Sequence, residues 1–139
     1  MKKARFAAIL LPVALLVSLF ASTVFAQEPA PQPRYTDFSS IYAGIYLEDN
    51  GLYAIEGGAA APNTQKEVHI TLTLEEIQGD EWVVVPGCTW TASGMVSAHT
   101  GANRSLNPGV YRAHTEAKVY RDGVLLESAE AYSYITRVD

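Results

Sequence analysis

Val68, Ile70, Leu72 and Leu74 are apolar, while His69, Thr71, Thr73 and Glu75 alternate with them. A period of two lays one face of an extended strand on a core and turns the other to water. The same alternation returns from Tyr111 to Tyr120. Tyr111, Ala113, Thr115, Ala117 and Val119 form the inward set there, and Arg112, His114, Glu116 and Lys118 the outward one. Upstream, Ile41 to Glu48 and Leu52 to Ala59 flank the turn sequence EDNG, whose Asn50-Gly51 pair accepts the positive φ angles of a tight hairpin. Gln78-Gly79-Asp80 turns the chain into two extended pieces, Glu81 to Val85 and Cys88 to Ala92, separated by Pro86-Gly87. Trp82, Val84, Cys88 and Trp90 share one parity. Met95 to Pro108 is irregular and polar, and reads as a long loop with room for one short strand. Arg121-Asp122-Gly123 is a second hairpin turn. Val124 to Val138 then returns, with Tyr132 and Tyr134 on the side opposite Ala131 and Ile135.

No helix of useful length is expected after residue 41. Five to eight short strands with a turn every ten residues or so predict an all-β fold, an antiparallel two-sheet sandwich. A small closed barrel is the alternative.

The first 26 residues follow different rules. Lys2, Lys3 and Arg5 precede an uncharged apolar run from Phe6 to Phe20, and the segment closes on Val24-Phe25-Ala26. That order describes a cleavable signal peptide over residues 1–26, with Gln27 as the mature N-terminus. Pro12, Ser18, Ser22 and Thr23 weaken the rival reading as an uncleaved anchor. QEPAPQPR follows, with prolines at alternate positions that forbid a helix. Residues 27–40 are therefore expected to be a Pro-rich spacer, and residues 41–139 the β-sandwich domain. Asp139 follows no hydrophobic tail or basic cluster, so no C-terminal anchor is expected. The mature form should be secreted and not membrane-embedded.

Export changes the charge balance. The chain has ten Lys and Arg against fifteen Asp and Glu; without the three basic residues of the leader, seven face fifteen, a net charge of −8. An acidic chain without a basic stripe repels phosphate backbones, so nucleic acid is excluded as a partner. Cys88 is the single cysteine. An exported domain with one cysteine closes no intrachain disulfide, and packing alone must hold it.

The segment Leu106 to Ser133 resembles the end of an immunoglobulin-like or fibronectin type III-like domain. There a Leu and a Pro-Gly precede a tyrosine that opens a strand, positions matched by Leu106, Pro108, Gly109 and Tyr111. The resemblance implies that Tyr111 locks a corner by bonding backbone. Residues 41 to 138 are also similar to small secreted proteins of Gram-positive bacteria, themselves uncharacterised. Those pair a Trp-containing strand (here Cys88 to Trp90) with a closing hairpin of the form YR…VYxDGxLLES. The resemblance implies an immunoglobulin-like sandwich and no reaction. The chain departs from disulfide-bonded immunoglobulin domains by its single cysteine.

Candidate chemistry is thin. Cys88 falls on the inward parity, whereas His69 and His114 fall on the outward one, so no thiol–imidazole pair is expected. His69, His99 and His114 lie far apart without an HxH or HxxxH pair, so no metal is signalled and no cofactor is expected. Glu48-Asp49-Asn50 offers oxygens for calcium but lacks the register of a calcium loop. Glu75, Glu76, Asp80 and Glu81 could supply paired carboxylates for glycoside hydrolysis, but they flank a turn, where charges normally keep strands soluble.

Tyrosines are the remaining handle. Tyr42, Tyr46, Tyr53, Tyr120, Tyr132 and Tyr134 are too many for one small core. Tyr46, Tyr132 and Tyr134 are the candidate binding surface, for a protein partner first and a carbohydrate second. The expectation is a secreted, non-enzymatic module for extracellular binding or surface association. A small secreted hydrolase is the alternative. A flat or grooved tyrosine cluster would favour binding, and a concave pocket holding His99, Asn103 or Arg104 would favour the enzyme.

Overall fold

The computed structural model describes residues 34–139; the expected signal peptide and the expected spacer as far as Pro33 lie outside the described residues. Eight strands follow one another: β1 Ser40–Leu47, β2 Tyr53–Ala60, β3 Glu67–Gln78, β4 Glu81–Met95, β5 Ser97–Arg104, β6 Gly109–Arg121, β7 Val124–Tyr132 and β8 Thr136–Val138. They form two antiparallel sheets, one of order β1-β2-β5 and one of order β4-β3-β6-β7 with β8 also on β6. The two sheets pack face to face as a sandwich. Among the described residues no helix is long and apolar enough to cross a membrane.

The alternating segments behave as their periodicity requires. Val68, Ile70, Leu72 and Leu74 are buried, as are Tyr111, Ala113, Thr115, Ala117 and Val119 from the neighbouring strand. Val68, Ile70, Ala117 and Val119 join Phe38, Ala59, Ala61 and Ala98 at one end of the sandwich. Leu72, Leu74, Tyr111 and Ala113 join Ile55, Cys88 and Val138 at the other. Between the two clusters Thr115 faces Gly57, and a Cβ on that glycine would collide with the threonine hydroxyl.

The turns follow their glycines. Gly51 takes φ +79° after β1, and Gly79 takes +66° in the two-residue link from β3 to β4. Asp122 and Gly123 both have positive φ, at 51° and 77°, as a type I′ hairpin demands. Tyr111 donates its hydroxyl to the Asn107 carbonyl at 2.9 Å, closing the corner that leads into β6.

Three local expectations change. First, residues 34–40, expected to belong to the spacer, include side chains that pack on the sandwich. Phe38 enters the core, the Asp37 carboxylate pairs with Lys66 at 2.7 Å, and Glu127 accepts the backbone N–H of Asp37 at 2.6 Å. Second, Trp82 and Val84 do not share a face with Cys88 and Trp90. The β3–β4 register slips between Thr73 and Glu75, where Val85 to Cys88 bulge out around Gly87 at φ +76°. A slip by an odd number of residues exchanges the two faces. Cys88 and Trp90 therefore pack inward, while Trp82 lies on the outer face beneath Arg112.

Third, Met95 to Pro108 is not mostly loop. β4 runs to Met95, bends at Val96, and continues as β5 in the other sheet, paired with β2 over eight residues. Val96 has φ +71°, a conformation that costs most for a β-branched residue. Its backbone is held on both sides, with its N–H on the Lys66 carbonyl at 2.8 Å and its carbonyl on the Ala61 N–H at 2.7 Å.

Candidate functional site

The outer face of the three-stranded sheet sets four small residues, Gly44, Ala54, Gly58 and Gly101, among larger ones. Its pairing sets Tyr42 opposite Gly58 and Gly58 opposite His99; Gly44 lies opposite Glu56, and Glu56 opposite Gly101. Tyr46, Ala54 and Asn103 form the third row. The Tyr42 ring lies against Gly58 and the Tyr46 ring against Gly44, each so close that a Cβ would collide with it. A ring laid on a glycine gives one face to the backbone and its other face to solvent, and both tyrosines stay about half exposed, at 44% and 56%.

Beside these rings runs an open groove of about 360 Å³, lined by Tyr42, Glu56, His99, Gly101 and Asn103. Its floor is low because β2 and β5 carry Gly58 and Gly101 in the middle of the sheet. Its polar groups are a carboxylate, an imidazole and a carboxamide, all at the surface. The Asn103 carboxamide is steadied by donating to Glu48 at 2.8 Å, which ties β5 to the β1–β2 turn. Arg104 points away from the groove and rests 5.4 Å from the Trp90 ring.

The structure separates the tyrosines that the sequence singled out. Tyr46 belongs to this face with Tyr42. Tyr132 lies on the outer face of the five-stranded sheet, stacked on His114 with ring centroids 4.4 Å apart and planes 13° apart. Tyr134 follows β7 in the Ser133–Ile135 interruption and is 96% exposed. Tyr46 and Tyr132 thus point from opposite sides of the sandwich. Tyr42 lies on the same face as Tyr46, and the signal for this is register: Ile41, Ala43 and Ile45 pack inward, so Tyr42 and Tyr46 share the outward parity.

The other candidates resolve by strand parity. Cys88 is buried among Leu72, Leu74 and Tyr111, on the face opposite to the outward histidines. Glu75 and Glu76 are consecutive in one strand and diverge: Glu75 pairs with Arg112 at 2.6 Å on the outer face, while Glu76 lies beside Gly109 and Tyr111. Burial, and then the Glu76 carboxylate, push the Tyr111 hydroxyl above its usual range. The EDNG turn uses its own oxygens: Glu48 accepts from Asn103 and Asn50, and the Asn50 side chain accepts the Leu52 N–H at 2.9 Å.

His114 corrects its expectation of facing solvent. It occupies the outward parity, but Tyr132 covers one ring face and its side chain is only 12% exposed. Arg112 lies between Trp82 and Tyr132, its guanidinium 4.4 Å and 4.3 Å from the two rings. Cross-strand neighbours rather than strand parity decide how wet an outward residue is.

No protein-family model, no curated protein and no solved structure matches this chain, so the site rests on its own geometry.

Proposed function

We propose that the protein is an exported, non-enzymatic binding module that reads carbohydrate on the outer face of its three-stranded sheet. The carrying observation is the pair of tyrosine rings lying on Gly44 and Gly58, alongside a groove with Glu56, His99 and Asn103. A sugar ring offers an apolar C–H face and a rim of hydroxyls. The exposed ring faces suit the first, and carboxylate, imidazole and carboxamide suit the second. The open shape fits a chain passing across the sheet better than a small molecule enclosed for reaction. The groove holds His99 and Asn103, residues named for the hydrolase alternative; its open form beside two tyrosine rings, rather than a closed pocket, is what supports the binding reading. The leader-like N-terminus supports an extracellular setting, where glycans are the abundant surface.

A protein partner is the second reading, carried by the far hairpin. Val124, Leu125 and Leu126 are 62%, 49% and 39% exposed in consecutive positions along an edge strand. Apolar edges of this kind pair with partner strands.

The test is retention on immobilised polysaccharides and a glycan array. Wild-type protein should be retained on a defined glycan, and Tyr42→Ala and Tyr46→Ala should each weaken retention at least about tenfold, the loss of one stacking platform. Retention lost on Leu125→Asp but insensitive to the tyrosines would transfer the function to the hairpin edge. An absence of glycan retention would end the carbohydrate reading.

A further inference from the structure

On the outer face of the five-stranded sheet, His114 and Glu116 occupy alternate positions of β6, and Glu130 of β7 lies directly opposite Glu116. The imidazole and the two carboxylates bring one ligand atom each within 4.8 Å of one another. Two carboxylates opposite each other across strands repel, and a sheet normally avoids that pairing. The Nε2 atom of His114 is enclosed and has no hydrogen-bond partner, although Glu130 Oε1 stands only 3.8 Å away.

The tautomer explains why. Glu75 accepts from Arg112 at 2.6 Å through one oxygen and faces His114 Nδ1 at 3.2 Å through the other. A carboxylate so engaged can only accept, so Nδ1 carries a proton, and in the singly protonated ring Nε2 is the nitrogen that offers a lone pair. Tyr132 completes the setting: its ring fixes the plane of His114, and its hydroxyl donates to Glu130 Oε2 at 3.2 Å, leaving Oε1 turned toward Nε2. In that tautomer three electron-pair donors converge, one each from His114, Glu116 and Glu130. A carboxylate holding Nδ1–H while Nε2 points at oxygen donors is the outer-shell arrangement of metal-bound histidines.

We propose that His114, Glu116 and Glu130 form a binding site for a divalent transition-metal ion of the zinc class, with Glu75 and Tyr132 orienting its ligands. One imidazole nitrogen with two carboxylate oxygens suits zinc better than calcium or magnesium, which take oxygen alone. Three protein ligands leave a position for water or an external ligand. The site lies on the opposite side of the sandwich from the tyrosine groove and does not depend on the carbohydrate reading. Sequence spacing hid it, because its third ligand comes from the neighbouring strand and the pair His114-x-Glu116 is only meaningful in a β-strand.

The test titrates metal-stripped protein with zinc chloride at about pH 7.5, above the ordinary imidazole range, by calorimetry and by NMR of the imidazole resonances. The expected result is one equivalent bound with the His114 signals shifted. Glu116→Gln and Glu130→Gln, both at exposed positions, should each weaken binding at least about tenfold, while His69→Gln and His99→Gln leave it unchanged. Three outcomes would overturn the site: no binding up to about 1 mM zinc, binding indifferent to both glutamate changes, or binding that follows His69 or His99. A His114 ring found protonated at that pH, bridging Glu75 and Glu130 as a cation, would overturn it as well.

Discussion

Tyr111 shows how one hydroxyl ties packing to pH. Its ring sits in the core beside Leu72 and Cys88, and its O–H donates to Asn107. Tyr111→Phe keeps the ring and should cost about 1 kcal/mol, measured by denaturant unfolding. Below the ordinary tyrosine range, both folded and unfolded chains keep the proton. Above it, the unfolded chain loses the proton first, because burial and Glu76 raise the folded value. Stability should therefore fall as pH rises beyond about 10, and the fall should be shallower in Tyr111→Phe. Thr115 gives the opposite sign. Its hydroxyl is buried without a hydrogen-bond partner. Thr115→Val removes that polar atom at nearly constant shape and should be neutral or stabilising by up to about 1 kcal/mol in the same assay. Gly57→Ala should be strongly destabilising, since its methyl would meet Thr115 and Leu72.

Val96 joins β4 to β5 at a backbone angle that valine rarely adopts. Glycine in a strand ordinarily costs about 0.5–1 kcal/mol. At this one bend, Val96→Gly should instead leave thermal stability unchanged or raise it, because the strain relieved offsets that loss. The same join marks the limit of what the sequence discloses. β3 and β6 were legible because each buries one complete face, so apolar and polar residues had to alternate. β5 was not, because its inward residues are Ala98, Thr100 and Ala102, and its outward ones include His99, Gly101 and Asn103. Small residues suffice there since β2 beside it is equally slight, and hydrogen bonding rather than side-chain bulk defines the strand. Trp82 departs from its expected face for a related reason: the bulge at Pro86-Gly87 changes parity, and nothing local in the sequence reveals how many residues it takes up. The groove was invisible for both reasons at once. Its lining comes from β1, β2 and β5, and only their register brings Tyr42, Glu56 and His99 together.

The sandwich presents two unlike outer faces. One is a shallow bed of glycine and alanine with two reclining tyrosines; the other is a charged and aromatic lattice from Trp82 through Arg112 and Tyr132 to His114. They share no side chains, so changes on one should not couple to the other. Tyr42→Ala should leave zinc binding as it was, and Glu116→Gln should leave glycan retention as it was, measured on the same preparations. The continuity of β4 into β5 carries a consequence for inheritance. Since side chains alternate, the number of residues between Trp90 and the bend decides whether His99 and Asn103 or Ala98 and Ala102 look outward. Substitution can revise the groove one side chain at a time, whereas a single-residue insertion or deletion in that stretch would turn its β5 wall inside out. Lineages of this protein should therefore vary freely in the composition of that stretch and hold its length constant.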